Sequence, residues 1–281
     1  MYHTMYKKKS LGQHFLHAKT YLRAVADAAD IQKGEVILEI GPGDGALTRE
    51  LLIRGANVAA IEKDHRLIPL LQEKFSAEIE QGGLEIIEGD ALELAIPAKR
   101  ASQISSGRFA SRNLSAVFGL HDTYKVVGNI PYYITGALLR KFLSATAQPT
   151  ALVFLIQKEV AERIVKSKKE SLLSLSIKAY GAPSYVKTVP RGAFSPAPGV
   201  DSAILRVSGI SRNNFRSSAH EERFFALLHA GFAQKRKLLR RNLESALGGS
   251  AAERLQRAGI PPSARAEDVP LSQWLALSEE V

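Results

Sequence analysis

Residues 36–46 have the sequence Val-Ile-Leu-Glu-Ile-Gly-Pro-Gly-Asp-Gly-Ala, in which an apolar run leads into three glycines. The run Val36–Ile40 predicts a buried strand, and Ala46–Arg54, which Gly55 ends, predicts a helix. Gly41–Gly45 lies between them and predicts a tight turn. Glycine is needed there because the turn is sharp and because a ligand must approach the backbone closely. The segment therefore favours a nucleotide-type cofactor bound beside a parallel sheet.

Strands and helices alternate on the C-terminal side of this segment through the first two thirds of the chain. Further strands are predicted at 58–61, 84–87, 124–127 and 151–156, with a helix at 65–75 and another that Thr135 caps. This alternation predicts an α/β fold with a doubly wound, mainly parallel, Rossmann-like sheet. Counted from 36–40, the strands should have the order 3-2-1-4-5. Two later strands, at 184–189 and 202–207, should add an antiparallel edge.

The last quarter of the chain has a different pattern. A polar linker at 210–219 leads into helices predicted at 221–233, 236–247, 251–258 and 271–277. We therefore expect a large domain at 1–209 and a small all-α domain at 216–281. The segment 98–123 lacks periodicity and is rich in Ser, Arg, Gly and Ala, which predicts a long surface loop.

Composition limits the possible functions. The chain has 281 residues, no cysteine and a formal net charge of +10. Without cysteine it can have neither disulfides nor thiolate catalysis nor Cys-based zinc sites, and we expect no metal. No apolar run approaches the roughly 20 residues of a membrane span, and no secretory signal is evident. We expect a cytoplasmic monomer without a membrane partner, whose basic charge suits a polyanion.

The glycine turn alone does not identify the cofactor. Gly41, Gly43 and Ala46 also satisfy the dinucleotide pattern G-x-G-x-x-A, so a nicotinamide dehydrogenase stays possible. Glu62, at the end of the second strand, would accept hydrogen bonds from ribose hydroxyls in either case. Asp90, after the third strand, could accept a hydrogen bond from the adenine amine of a cofactor, or it could be a helix N-cap.

The sequence Asn129-Ile-Pro-Tyr132 follows the fourth strand, which should face the glycine turn across the switch point of the sheet. The N6 amine of adenine is a poor nucleophile, because its lone pair is delocalised into the ring. The Asn129 side-chain carbonyl and the Ile130 backbone carbonyl could bind its two N–H groups and direct the lone pair. Pro131 would stiffen the turn, and Tyr132 could stack on a flipped base. The alternative is an ordinary Asn-initiated turn with proline.

Five motifs occur in a fixed order along the chain. They are Lys9-Ser-Leu-Gly-Gln-His-Phe-Leu16, Glu39-Ile-Gly-Pro-Gly43, Gly89-Asp-Ala91, Gly128-Asn-Ile-Pro-Tyr-Tyr-Ile-Thr135 and Phe194-Ser-Pro-Ala-Pro-Gly-Val-Asp-Ser202. With these motifs the chain resembles the ribosomal RNA adenine dimethylase family over nearly its whole length. It is most similar to the bacterial branch that dimethylates two adjacent adenines near the 3′ end of 16S rRNA.

The resemblance implies a cofactor, a substrate and a set of site residues. The cofactor would be S-adenosyl-L-methionine, and the partner would be 16S rRNA in the assembling 30S subunit. Tyr132 and Phe194 would sandwich the target base, and Asn129 would bind both its amine and the cofactor. The cofactor would contact His14, Leu16, Gly41, Gly43, Glu62, Asp90 and Asn129. His14 departs from the family pattern, in which asparagine is frequent, and the loop at 98–123 is longer than usual.

A basic segment, Lys235-Arg-Lys-Leu-Leu-Arg-Arg241, lies in the predicted helical domain. At helical spacing Lys237, Arg240 and Arg241 would share one side, while Leu238 and Leu239 would turn inwards. We expect Lys235, Arg236, Lys237, Arg240 and Arg241 to contact RNA phosphates, although many such runs are only solvated helix faces. Lys7, Lys8 and Lys9 could add to these contacts or form a mobile tail.

Two further functions stay open. A sister branch of the family methylates an adenine of large-subunit rRNA with the same chemistry. Family relatives also act as RNA-binding or ribosome-assembly factors, for which turnover would be incidental. The intact set Gly41, Glu62, Asp90 and Asn129 favours retained catalysis.

Overall fold

The computed structural model describes residues 14–94 and 123–279. The lysines at 7–9 and all of the predicted loop at 98–123 except its last residue lie outside this part. The chain divides into two compact units. The first contains Ser184–Ile210 and the described residues up to Ala161, and the second contains Glu162–Pro183 and the described residues from Ser211 onwards.

The first unit is built on a seven-stranded sheet with the order β4-β3-β2-β5-β6-β9-β7. The neighbours β4 to β6 pair in parallel, and β9 pairs antiparallel with β6. This confirms the predicted Rossmann-like order, 3-2-1-4-5, with an antiparallel addition. The strands are β1 (Phe15–Leu16), β2 (Val36–Ile40), β3 (Asn57–Glu62), β4 (Leu84–Glu88), β5 (Tyr124–Asn129), β6 (Ala151–Gln157), β7 (Ala182–Val189), β8 (Phe194–Ser195) and β9 (Ser202–Ser208).

Helices connect the parallel strands and cover the sheet. They are α1 (Lys19–Ala28), α2 (Ala46–Ile53), α3 (Ile68–Lys74), α4 (Ser76–Glu80) and α5 (Thr135–Leu143). A further helix, α6 (Lys158–Val165), follows β6, and its residues from Glu162 onwards belong to the second unit. Every residue of β2 is buried, as expected for a parallel strand with both faces covered. The ends of β2 and its neighbours are therefore held firmly, and the loops that follow them start from fixed positions.

Two local predictions in this unit are wrong. The helix predicted from residue 65 begins at Ile68, because Pro69 fits only the first helical turn. Thr135 does not cap α5. It is the first helical residue, it follows a 3₁₀ turn at Tyr132–Ile134, and its buried hydroxyl has no hydrogen-bond partner among the described residues.

The second unit is helical. Its helices are α7 (Leu172–Lys178), α8 (Ser218–Phe232), α9 (Leu239–Leu247), α10 (Ala251–Arg257) and α11 (Leu271–Glu279). They bury a shared core that includes Phe224, Leu243 and Trp274. None of the described helices is long and apolar enough to cross a membrane.

The domain boundaries at 209 and 216 stay a prediction, and the compact units differ from them in one segment. Residues 162–183 belong to the second unit, because Leu175 and Ala179 pack in its core. The start predicted for α9 is wrong, since Lys235, Arg236 and Lys237 lie before the helix in a turn.

Gly128 permits the close approach of the two central strands, and its substitution tests that role. A Cβ at Gly128 would lie 2.8 Å from Ile40 O and 3.0 Å from Ile130 Cγ2. We expect Gly128→Ala to lower the free energy of unfolding by about 1–3 kcal/mol, the usual cost of overpacking. Gly136→Ala is the matched control, because nothing lies within 4 Å of the added atom and the residue is helical. Chemical denaturation measures the stability of both variants. Equal denaturation midpoints for Gly128→Ala and Gly136→Ala would contradict the proposed role of Gly128.

Candidate active site

A cleft with a volume of about 210 Å³ lies at the carboxyl ends of β2, β3, β4 and β5. Ligands of parallel α/β sheets bind at this edge. The cleft is lined by the loops that follow these four strands and by the segment at residues 14–16. All of the predicted cofactor residues line it, namely His14, Leu16, Gly41, Gly43, Glu62, Asp90 and Asn129. We call it the cofactor cleft.

The glycine turn is packed against an aromatic ring that the sequence analysis missed. Gly43 has a φ of +61°, and a Cβ at this position would lie 2.8 Å from Phe15 Cε1. Phe15 itself lines the cleft beside His14 and Leu16. The glycine is therefore required both by its backbone conformation and by the ring above it. The short apolar pair at 15–16 gave too weak a pattern to single out this contact.

Glu62 joins the end of β3 to the glycine turn. Its Oε2 accepts a hydrogen bond from Gly43 N at 3.1 Å, and its Oε1 accepts one from Asp64 N at 2.8 Å. Burial raises the pKa of this carboxyl, and the two N–H groups oppose that effect. Each carboxylate oxygen can accept a second hydrogen bond. Glu62 can therefore bind a diol while it holds the turn.

Asp90 lines the cleft and holds the turn that follows it, and its contact with a cofactor stays a prediction. Its Oδ1 accepts a hydrogen bond from Leu92 N at 2.9 Å, as a capping residue does, and its Oδ2 lies 2.6 Å from Lys63 Nζ. Burial disfavours the charged form, but Lys63 and the Leu92 N–H outweigh it, so the pKa of Asp90 is lowered. The carboxylate lines the cleft in its ionised form, ready to accept a further hydrogen bond.

Lys141, on α5, fixes the segment that follows Asp90. Its Nζ donates hydrogen bonds to Leu92 O at 2.8 Å and to Leu94 O at 2.5 Å. Burial lowers the pKa of Lys141, and the charge of Asp90 opposes this. Sequence patterns do not indicate this role, because the residues are about fifty positions apart and the contact depends on tertiary structure.

The side-chain amide of Asn129 has one possible orientation. Its Nδ2 donates a hydrogen bond to His14 O at 2.7 Å. A carbonyl can only accept, so the amide nitrogen must face His14, and Oδ1 is the atom left to accept. The Ile130 carbonyl follows one residue later, in a loop that also lines the cleft. We call Asn129 Oδ1 and the Ile130 carbonyl oxygen the acceptor pair.

Tyr132 lines the cleft and is half-buried. Its hydroxyl forms a 2.7 Å hydrogen bond with the buried Ser202, and its ring stacks near His14 with the centroids 6.3 Å apart. Pro131, with a φ of −57°, begins the 3₁₀ turn that carries Tyr132. The ring is thus held at the wall of the cleft by contacts at both ends.

His14 has a structural role in addition to its predicted role in cofactor binding. Its Nδ1 lies 2.8 Å from Pro196 O, so Nδ1 carries a proton and donates it. Neutral histidine has only this one ring donor. Hydrogen-bond donation from His14 to the cofactor stays a prediction, and the protein already uses the available proton to hold the segment around Pro196.

Phe194 does not lie where the sequence analysis expected it. Its side chain is 3% exposed and packs in the core of the first unit, and it is outside the cleft lining. The residue belongs to β8, where it pairs with Leu16 of β1. An apolar ring in this pairing is more stable in the core than in water, so this conformation does not offer it for stacking on a base.

The basic segment, residues 235–241, belongs to the second unit. Lys235, Arg236, Lys237, Arg240 and Arg241 are all exposed, and none forms an ion pair with another described residue. Leu238 is half-buried and Leu239 is buried, as predicted. The helical spacing predicted for Lys237 is wrong because α9 begins two residues later.

The cleft has the donors and acceptors that a cationic adenosine cofactor requires. Glu62 supplies acceptors for a ribose diol, and Asp90 supplies one for an adenine amine. Gly41 has no side chain that would cover its own backbone. The two carboxylates lie beside apolar walls formed by Leu16, Ile40, Leu47 and Ile61. This set suits the adenosine and sulfonium parts of S-adenosylmethionine.

Comparisons with known proteins agree with this assignment. The family model "Ribosomal RNA adenine dimethylase" matches residues 4–281. A ribosomal RNA small subunit methyltransferase A from Dehalococcoides mccartyi is 40% identical, covering 98% of this chain and 88% of that protein. The protein of the same name from Caulobacter vibrioides is 38% identical, covering 96% of each. The crystal structure of the 23S rRNA methyltransferase ErmE has a TM-score of 0.71 and 26% identity, covering 94% of this chain and 98% of that one.

These matches exclude the nicotinamide alternative and confirm the resemblance carried by the five motifs. They extend over both compact units, so both belong to one conserved architecture. The chain belongs to the ribosomal RNA adenine dimethylase family and is an S-adenosylmethionine-dependent methyltransferase.

Proposed function

We propose that the protein transfers methyl groups from S-adenosylmethionine to N6 of two adjacent adenines near the 3′ end of 16S rRNA. The product is N6,N6-dimethyladenine, and the substrate is the assembling 30S subunit. We further propose that the enzyme acts as a monomer in the cytoplasm. The names of the relatives at 38–40% identity support the small-subunit substrate.

The hydrogen bond that orients Asn129 beside Ile130 at the cleft is the observation that carries the proposal. An exocyclic amine has two N–H groups, and two carbonyl oxygens on neighbouring residues can bind both. Accepting both hydrogens draws the nitrogen towards a pyramidal geometry, in which the lone pair points away from the acceptors. The hydrogen bond from Asn129 Nδ2 to His14 O fixes the amide, so Oδ1 needs no reorientation when the amine arrives.

The cofactor supplies an activated methyl group on a sulfonium, so the protein chiefly has to position the amine. Tyr132 offers one face to the flipped base. The acceptor pair consists of amide oxygens, which accept hydrogen bonds but do not take up protons near neutral pH. The proton that the amine loses on methylation therefore passes to water. Glu62 and Asp90 hold the ribose and the adenine of the cofactor.

The basic segment supports binding to an RNA backbone. Its five cations have no acidic partners among the described residues, and they are all exposed. Cations near the start of a helix are disfavoured by the helix dipole, so they do not contribute to the stability of α9. Contacts with phosphates would give affinity without sequence selectivity.

The large-subunit alternative has one observation in its favour, the 0.71 TM-score with a 23S rRNA methyltransferase. That protein is 26% identical to this chain, whereas the small-subunit relatives reach 40%. The assembly-factor alternative predicts that a variant without turnover retains full function. The intact cleft gives no reason to expect loss of turnover.

Methyl transfer to purified ribosomal subunits tests the substrate. We expect the protein to transfer labelled methyl groups to 30S subunits that lack the modification, at two adjacent adenines near the 3′ end of 16S rRNA. Large subunits lacking their own adenine modification serve as the comparison. Labelling of the large subunit alone would contradict the proposed substrate.

Asn129→Ala tests the acceptor pair. We expect methyl transfer to fall by about 100-fold or more, a loss typical of removing one preorganised hydrogen-bonding group, while binding to 30S subunits is retained. Initial rates and filter binding measure the two effects. Asn213→Ala, at an exposed position of the second unit, is the control and should match the wild type. Near-normal transfer by Asn129→Ala would remove the residue from its proposed role.

The affinity for S-adenosylmethionine should depend on pH through Glu62. Ribose hydroxyls donate to the ionised carboxylate, so binding is strong above the pKa of Glu62 and weakens as the pH falls through it. Because burial raises this pKa, the loss begins at a higher pH than for an ordinary glutamate. Calorimetry over a pH series measures the profile. Glu62→Gln should bind more weakly and lose this pH dependence, and an unchanged profile in that variant would assign the effect to another group.

A further inference from the structure

Tyr133 is an exposed aromatic residue that the proposed chemistry does not use. Its side chain is 70% exposed, although it lines the cofactor cleft next to Tyr132. The other strongly exposed apolar side chain of the described residues, Ile53 at 71%, lies outside the cleft. An exposed aromatic ring beside a ligand cleft is a candidate contact for a second part of the substrate.

The backbone separates the two tyrosines. Tyr132–Ile134 form a 3₁₀ turn, in which successive side chains point about 120° apart. Tyr132 is half-buried with its hydroxyl on Ser202, so Tyr133 points outwards at the mouth of the cleft. One ring can thus face a base inside the cleft while the next ring faces solvent.

The exposed ring has a rigid support. Ile134 N donates a hydrogen bond to Pro131 O at 3.2 Å, and α5 begins at the next residue. Leu138 and Leu139 of that helix are completely buried. Little backbone freedom is lost when such a ring binds a ligand, so its stacking energy is available for affinity.

The charge around the mouth suits a nucleotide chain. Lys63 lines the same cleft, and its side chain is 60% exposed with Nζ beside Asp90. A flat aromatic face near a cation fits a base together with its phosphate. The hydrogen bond to Asp90 uses one of the three N–H donors of Lys63, so the others can bind a phosphate oxygen, which an apolar peptide does not offer.

We propose that Tyr133 stacks on the nucleotide next to the target adenine, so that the protein takes an RNA strand in which the target and its neighbour are both unpaired. This inference rests on the proposed function. Because the strand enters with one direction, Tyr133 faces the other adenine during one of the two methylations and the outer neighbour during the other. Purines stack more strongly than pyrimidines, so a purine neighbour is favoured.

Two substitutions test the stacking on unmodified 30S subunits. Tyr133→Leu removes the ring, and we expect the KM for 30S subunits to rise about tenfold, with a smaller change in kcat and no change in cofactor affinity. Tyr133→Phe keeps the ring, so its KM for 30S subunits should equal that of the wild type. Ile53→Ala is the control for loss of an exposed apolar side chain elsewhere.

A single-stranded oligonucleotide with 2-aminopurine next to an adenine gives a direct readout. We expect its fluorescence to be quenched by the wild type and by Tyr133→Phe, and much less by Tyr133→Leu. Equal KM values and equal quenching for the leucine variant would overturn the inference. So would a loss of cofactor affinity with an unchanged KM for 30S subunits, because Tyr133 would then belong to the cofactor site. If the wild type itself labels no 30S subunits, the proposed function fails instead.

Discussion

Ile40 and Gly128 lie side by side in the parallel register of β2 and β5, and a methyl group on Gly128 would lie 2.8 Å from Ile40 O. This close approach brings the loops that follow the two strands to the same level of the sheet. One loop carries the glycine turn, and the other carries the acceptor pair. A methyl donor and an amine can meet in one cleft only if both loops begin there. The register of two buried strands therefore underlies the chemistry, although neither Ile40 nor Gly128 has a reactive group.

A buried carboxyl, Glu39, lies on β2 one residue before the end of the strand that leads into the glycine turn. Glu39 is completely buried, and Thr48 is the neighbour that offers its carboxyl hydrogen bonds. Burial raises the pKa of Glu39 to about 8, with the neighbouring Thr48 opposing this effect and the charge of Glu62 adding to it. The carboxyl is therefore mainly neutral near pH 7. Glu39 therefore adds little negative charge to that of the three carboxyls that line the cleft, Asp44, Glu62 and Asp90.

Much of the fold and of the site could be predicted, because both follow from local patterns. The order of the parallel strands follows from their alternation with helices, and residues such as Glu62 and Asp90 lie at strand ends, where such sheets bind ligands. Phe194, Phe15 and Lys141 show what could not be predicted. Pairing of β8 with β1 draws Phe194 into the core, Phe15 packs on the glycine turn, and Lys141 reaches carbonyls about fifty residues away. These contacts depend on tertiary packing, which leaves no periodic pattern in the sequence.

Affinity and selectivity come from different kinds of residue in this chain. The exposed cations of the basic segment can attract any polyanion, because phosphates carry no sequence information. Selectivity must then come from groups that read a base. In the proposed mechanism the acceptor pair would select against uracil, which has no exocyclic amine, and stacking on Tyr132 would require a base that has left its duplex. A net charge of +10 attracts every RNA equally, so the choice of the methylated base must come from uncharged groups that contact the base itself. In the proposed mechanism the amide of Asn129, held by one hydrogen bond to His14, would restrict the reaction to bases that carry an exocyclic amine.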